Sequence, residues 1–595
     1  METASEESKS SLHQAIAEEE NPEMSPQRQK GGLITMPFII ANESLEKVSS
    51  YGLLPNMILF LMMDYKMSVA KGTNVLFFWS AATNFTPLLG AFVADSYLGR
   101  FLTIGLGSIT SLLGIVILWL TTVIPQAKPP PCIPFSSSCE PPTSAQFGLL
   151  VLAFALMSLG AGGVRPCSQA FGADQVDRRD NPKNERILET FFNWYYATSC
   201  LSVFIALTVI VYIQDHLGWR VGFGIPVVLM FLSAVLFFLA FPFYITLKPT
   251  KSLFTSFAQV VVAAFRNRDF TFENQSSSVQ YYHQKDSTII SPSKNLRFLN
   301  KACVIRDPDD DLGLHGSAKF PWRLCSVDQV EELKALIRVI PIWSSGIIMS
   351  INTSQNSIFL IQAKSLDRHL TSKFQIPAGS YGMFTIITIV LWIPIYDRLL
   401  IPVASKLRGK SFRLSVKLRM GMGLFCSFLA MMISGTIENI RRRRAIHEGL
   451  AVSSMSAMWL IPQYVLHGLA EAFNGIGQTE FYYSEFPKSM SSIATCLSGL
   501  GMGVASLLAS AVLSAVDSHT NRGGKGSWVS NDINKGHYDY YYWTLAVLTL
   551  ISFLYYLVVS WAYGPCAEQR SQVRDETNGF ALQDSSKEGV VPKSQ

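Results

Sequence analysis

Twelve apolar stretches, six on either side of one long polar interruption, leave this chain very few folds to choose from. They lie at about 34–63, 73–96, 101–124, 146–166, 191–213 and 221–246, then at about 333–360, 377–396, 414–437, 456–480, 491–516 and 540–563. Each is long enough to cross a bilayer as one helix of about 20 residues. Charged residues make up 15% of the 595-residue chain, where an ordinary soluble domain carries about 25%. The reading is an all-α integral membrane protein, with twelve transmembrane helices in two six-helix bundles. An even count places both tails on one side. Residues 1–33 are polar and acidic without the apolar core of a signal peptide, so they are expected to form a disordered cytosolic tail. The bundles then span 34–246 and 333–563, with a cytosolic linker at 247–332 and a second disordered tail at 564–595.

The linker carries FRNRDF, NQSSS, SPSKN and RDPDDD, with eleven lysines and arginines, a composition that favours the cytosol. Arg100, Arg178, Arg179, Lys183, Arg186, Lys406, Arg408, Lys410, Arg413 and Lys417 fall in loops on the same side. The run Arg441 to Arg444 falls on the opposite side, and nothing in the sequence accounts for it. No basic, aromatic-studded domain suggests nucleic acid. No phosphate loop, metal-ligand spacing or nucleophile–base set stands out, so neither an enzyme nor a cofactor is expected. Asp307, Asp309, Asp310 and Asp311 lack the glycine and glutamate of a calcium loop and read as a solvated turn. Cys132 and Cys139 share the loop PPPCIPFSSSCEPP, where a disulfide and two free thiols fit equally.

Charges at membrane depth narrow the function. Glu43, Glu46 and Lys47 sit inside the first apolar stretch at i, i+3 and i+4, on one helical face. Each costs roughly 2.5–3.5 kcal/mol in lipid, so the face must meet something else: a wet interior, or, as the blander alternative, solvent around a surface helix. Two carboxylates one turn apart there cannot comfortably both be charged, which suits a group that takes up and releases a proton. Glu471, in YVLHGLAEAFNGIGQTEF, is a second acid flanked by apolar turns, while Glu480 and Glu485 lie toward the cytosolic end. Asn352, Gln355 and Asn356 form a polar face at the same spacing, either beside a substrate or bonded to neighbouring helices. Asp95 and Arg100 flank a tight turn in GAFVADSYLGR, able to lock helix ends in one state and part in another. Small residues in SLGAGGVRPC and SGLGMGVASLLAS let helices approach closely.

GAFVADSYLGR resembles the cytoplasmic loop signature of the major facilitator superfamily. ExxEK at Glu43–Lys47, FGADQ at Phe171–Gln175, FFNWYY at Phe191–Tyr196 and DINKGHYDYYYW ending at Trp543 together resemble the plant nitrate and peptide transporter family, part of the proton-coupled oligopeptide transporters. The resemblance runs from about Gly31 to Gly564, and GGLITMPFIIANESLEKV and SYGLLPNMILFLM are similar to that family's first plant subfamily. It implies a major facilitator fold and a symporter that moves nitrate with protons by alternating access, with the proton gradient as driving force. The alternatives it leaves are a small organic cargo (a di- or tripeptide, or a carboxylated hormone such as gibberellin, abscisic acid or jasmonate) and a nitrate sensor with little flux. The family pairs a basic residue at the end of helix four with the acidic motif; here that residue is Arg165, which keeps its proton, so the carboxylates must titrate. A purely structural Glu–Arg bridge is the rival reading. By the same resemblance Glu471 is the helix-ten glutamate, a proton or substrate group. Asn352 stands where a nitrate carrier has a cavity histidine, and an amide brings no charge. Thr103 matches a phosphorylation switch, with N-capping as the blander role. The expected partners are the small substrate, protons and the lipid bilayer, with a homodimer possible and the plasma membrane as the default location.

Overall fold

The computed structural model describes residues 31–130, 141–177, 184–246, 253–270, 280–283, 291–313, 316–409, 414–487, 490–522 and 526–566. The predicted tails fall almost wholly outside these residues, as do Cys132 and Cys139. Within them the chain is mostly helix, with one short parallel pairing of β1 (Leu366–Asp367) and β2 (Ser453–Ser456).

The first half comprises α1 (Met36–Leu53, continued by Met57–Met63), α2 (Val69–Val93), α3 (Gly99–Val123), α4 (Ser144–Val176), α5 (Asn184–Ile205) and α6 (Val211–Leu239). The linker contributes α7 (Leu253–Arg266). The second half holds α8 (Val327–Thr353, continued by Asn356–Lys364), α9 (Met383–Ile395, continued to Arg408), α10 (Val416–Glu448), α11 (Ile461–Glu485), α12 (Ser491–Thr520) and α13 (Tyr538–Tyr563). Eight helical runs among the described residues are long and apolar enough to cross a membrane. Two of these, Val69–Val123 and Arg186–Leu239, are each a pair of rods joined at a glycine, Gly99 and Gly218, both at φ 76°. A side chain at that φ would be strained, so glycine is what lets the chain double back there. α1 and α11 supply two further rods, less apolar because each carries three charged residues. The described residues therefore hold the twelve rods expected.

Small residues set the packing of the first half. A Cβ added to Gly107 of α3 would lie 2.9 Å from the Gly160 carbonyl oxygen and 3.0 Å from the Gly163 Cα of α4. The small face of α12 instead meets α2 across the two halves. Asn74 Nδ2 donates to Ser514 Oγ at 3.0 Å, Ser510 Oγ donates to Asn74 Oδ1 at 2.7 Å, and the Ser80 and Ser506 hydroxyls lie 3.1 Å apart. Val69 N donates to Asn531 Oδ1 at 2.8 Å, and Arg368 pairs with Asp215 at 3.8 Å. These contacts cluster at the end of the molecule opposite the Gly99 turn.

The arginine run now has a physical account. Arg441 is fully buried and grips Glu438 with both forks, Nε to Oε2 at 2.9 Å and Nη2 to Oε1 at 2.7 Å, while Nη1 donates to Asn534 Oδ1 at 2.7 Å. Arg442 Nε donates to the Gly536 carbonyl at 2.7 Å, and Arg444 pairs with Glu448 at 2.9 Å. The orientation rule concerns solvated cations. Arg441 and Arg442 are instead consumed in fastening the loop before α13 to the end of α10.

The linker is folded onto the second half. α7, the turn Leu299–Cys303 and the start of α8 share an apolar cluster that includes Phe257, Val260, Cys303, Cys325, Val330 and Leu333. Burial pushes the Cys303 and Cys325 thiols up to about 12, which leaves them inert fillers rather than redox groups. Asp307 caps the short helical turn Pro308–Asp311, and buried Asp311 pairs with Arg323 at 3.6 Å.

Candidate functional site

The two faces of α1 do different work. Asn42 and Ser49, two turns apart, bind it to α6: Asn42 Nδ2 donates to Ser233 Oγ at 2.9 Å and Ser49 Oγ to the Pro226 carbonyl at 2.9 Å. The other face carries Glu43, Glu46 and Lys47 toward α4 and α5. Lys47 Nζ lies 3.0 Å from Glu43 Oε1, donates to Ser199 Oγ at 2.8 Å and sits 5.6 Å from the centre of the Tyr195 ring. Glu46 accepts a 2.7 Å hydrogen bond from Ser50 Oγ and is 1% exposed, and Glu43 is 4% exposed. Glu43 Oε2 has no hydrogen-bond partner among the described residues.

Arg165 does not form the contact ion pair expected with this motif. Its guanidinium stacks over the Tyr51 ring, 5.5 Å from the centre, and acts on Glu46 through space. The direct cation of the cluster is Lys47. The sequence drew attention to FFNWYY as a motif but not to the job of Tyr195 and the nearby Ser199, which together hold Lys47 in place. Tyr51, two turns beyond the acids, was missed entirely.

At the Gly99 turn Arg100 binds Asp174 of the FGADQ string at 2.5 Å, while Asp95, the expected partner, stands 4.0 Å away. Asp95 lies in the widened turn Ala94–Leu98 and makes the longer of the two ion pairs of Arg100. Gln175 of the same string bonds the backbone of Ile245 in both directions, at 2.9 and 2.7 Å. Thr103 is buried, and its hydroxyl donates to the Gly99 carbonyl at 2.9 Å. That is an in-helix bond four residues back, not an N-cap.

The amide face of α8 is not a face at all. The helix stops at Thr353 and restarts at Asn356, so the i, i+3, i+4 relation fails. Asn352 is 0% exposed, and its Nδ2 donates to Ser427 Oγ at 2.9 Å and Thr549 Oγ1 at 2.8 Å. Gln355, equally buried, accepts from Tyr541 OH at 2.9 Å. Asn356 is exposed. Two of the three expected substrate contacts thus tie helices together. Asn352→Ala is expected to take from the buried Ser427 and Thr549 hydroxyls the donor they share, although Thr549 keeps its bond to the Leu545 carbonyl, and to cost about 1–3 kcal/mol of stability, read as a lower unfolding temperature with an unchanged half-saturation concentration. A shifted half-saturation with unaltered unfolding would show instead that the amide touches substrate.

Deeper in the second half Gln362 accepts from Tyr542 OH at 3.1 Å and Gln463 Nε2 at 3.2 Å, and donates to Glu438 Oε2 at 3.0 Å. Tyr541 and Tyr542 come from DINKGHYDYYYW, so that motif builds the polar core of this bundle. Glu471 is enclosed by the protein yet partly accessible, and no ion pair or hydrogen bond engages it among the described residues. An apolar crevice of about 390 Å³, lined by Thr208, Tyr212, Leu370, Phe374 and Met383, carries none of these charged groups.

The family model described as "POT family" matches residues 101–529 of the chain. "Protein NRT1/ PTR FAMILY 1.2" of Arabidopsis thaliana is 63% identical over 551 residues, 91% of each chain. "Protein NRT1/ PTR FAMILY 1.1" of the same plant is 59% identical over 583 residues, covering 96% of this chain and 97% of the relative. Among solved structures, the POT family transporter PepTSo superposes with a TM-score of 0.66 at 19% identity, covering 89% of this chain and 98% of the other.

Proposed function

The chain belongs to the POT family of membrane transporters, and on that premise we propose that it is a proton-coupled symporter that carries nitrate by alternating access. One observation carries the reading: two carboxylates hidden from lipid on α1, one paired with Lys47 and the other, Glu46, facing Arg165 only through space. Arg165 keeps its charge at any physiological pH, so a change of charge in this cluster falls to the acids. A proton taken from the outside onto Glu46 frees Arg165 to meet an anion, and its loss to the cytosol lets Arg165 return. Moving a monovalent anion inward against an inside-negative potential needs at least two protons, each charge being worth about 2.3 kcal/mol per 100 mV. Glu471 is the candidate for the second. No cofactor beyond the gradient is required, and the plasma membrane is the proposed location.

A specific observation favours a second cargo class. The position of the nitrate-binding histidine is Asn352, which is wholly buried, while unpaired Glu471 would repel nitrate and attract an amino group. A dipeptide or other small organic solute fits that pairing. Currents in voltage-clamped oocytes, with nitrate, dipeptides and carboxylated hormones applied at acid and neutral pH, separate the two. Acid-stimulated nitrate current that the organic compounds leave untouched supports nitrate; current with an organic solute alone overturns it.

Alternating access requires the polar zipper between α2 and α12 to open in each cycle. Asn74→Cys combined with Ser510→Cys is therefore expected to lose uptake on oxidation and regain it on reduction. Undiminished uptake with the cross-link formed would show that these helices never part.

A further inference from the structure

Thr103 is buried in this structure, and the linker presents an exposed hydroxyl. Ser293, in the string SPSK, is exposed. It is also the knot that fastens the linker to the second bundle. Its backbone N and its Oγ donate to Glu331 Oε1 at 2.8 and 3.1 Å. Its carbonyl accepts from Lys334 Nζ at 2.9 Å and from Asn300 Nδ2 at 3.0 Å, and its Oγ accepts from Lys334 Nζ at 3.1 Å. Lys334 is 5% exposed and lies 2.6 Å from Glu331, one turn away on α8. An ammonium has three protons to donate; Glu331 and the two oxygens of Ser293 take all three.

We propose that Ser293 is a phosphorylation site whose modification unties the linker from α8. In the step, Ser293 Oγ attacks the γ-phosphorus of ATP on a protein kinase, forming the O–P bond. The bridging P–O bond to the β-phosphate breaks, ADP leaves with the electron pair, and the hydroxyl proton passes to the base of the kinase. The product places a charge of about −1.5 to −2 at pH 7 on an atom that had been donating to Glu331. Where one cation balanced one anion, Lys334 then faces two anions, and Oγ has no proton left to give. The N-terminus of α8 offers no relief, because the capping box of Ser326 and Gln329 already occupies it. The linker is the covalent tie between the bundles, so loosening its attachment to α8 adds slack to their movement.

The test uses the full-length protein with phosphoserine incorporated at position 293, read by hydrogen exchange over residues 291–303. Exchange is expected to accelerate about tenfold or more, equivalent to about 1.4 kcal/mol. Glu331→Gln in the phosphorylated protein should reverse most of that, because the repelling charge is gone. Ser293→Ala, which removes one acceptor and adds no charge, should produce a much smaller change. Unaltered exchange on phosphorylation, or an acceleration indifferent to Glu331→Gln, would overturn the untying. Occupancy is read by mass spectrometry of the tryptic peptide 286–294 from protein made in plant cells. Phosphate on Ser293 supports the site; phosphate confined to Ser287, Thr288 or Ser291, or none, overturns it.

Discussion

Glu46→Gln is expected to leave a carrier that still exchanges substrate across the membrane but concentrates it far less. Glu46 is 1% exposed and takes a hydrogen bond from Ser50, which an amide oxygen accepts equally well. The substitution therefore imitates the protonated acid and should fold normally. What it removes is the release of the proton on the cytosolic side. Each proton lost from the cycle withdraws about 2.3 kcal/mol per 100 mV, close to a fiftyfold loss of accumulation at that potential. Counterflow in proteoliposomes without a gradient should survive, while uptake driven by an acid-outside gradient and an inside-negative potential should fall by about that factor and keep only the pH dependence that Glu471 supplies. Glu43→Gln is a different experiment. It leaves Lys47 an amide oxygen to bond but removes the negative charge that balances it at 3.0 Å, and is expected to disturb folding as well as transport. If Glu46→Gln concentrated substrate like the parent under the same gradient, the coupling role of this cluster would be refuted.

The helical rods and the shared face of the three α1 charges were legible because lipid penalises charge so heavily that position alone is informative. Glu43, Glu46 and Lys47 could be read at i, i+3 and i+4 since the helix runs unbroken through them. The same spacing misled at Asn352, Gln355 and Asn356, where the helix breaks at Ser354 and Gln355 and the rule loses its premise. No proline or glycine marks that break in the sequence. Asp95 and Arg100 flank the turn as read and pair at 4.0 Å, but the closer partner at 2.5 Å is Asp174, brought over by the packing of α4 beside α3. Long-range pairs of this kind leave no local trace. Arg441 was opaque for the same reason, since its meaning depends on a loop more than ninety residues further on.

Removing one member of the Glu438–Arg441 pair is expected to produce the largest stability loss available in the second bundle. Both side chains are 0% exposed, so neither can recruit solvent when its partner is gone. Arg441→Met leaves the Glu438 carboxylate buried with only the Gln362 amide to face it, and Asn534 loses its 2.7 Å donor. Breaking a buried pair in this way typically costs about 3–5 kcal/mol. Glu438→Leu strands the guanidinium and should cost as much. The double replacement discards both charges at once. Well-packed apolar side chains in place of a buried pair are often neutral, so the double variant should recover more than half of either single loss. It should not recover everything, because the buried Gln362 amide keeps a donor without a partner, at about 1–3 kcal/mol. The measurement is the unfolding temperature of the detergent-solubilised protein for the parent, both single variants and the double. A double variant as unstable as the singles would mean that the pair is held for the hydrogen bonds it gives to α8 and the loop before α13, not for its charge balance.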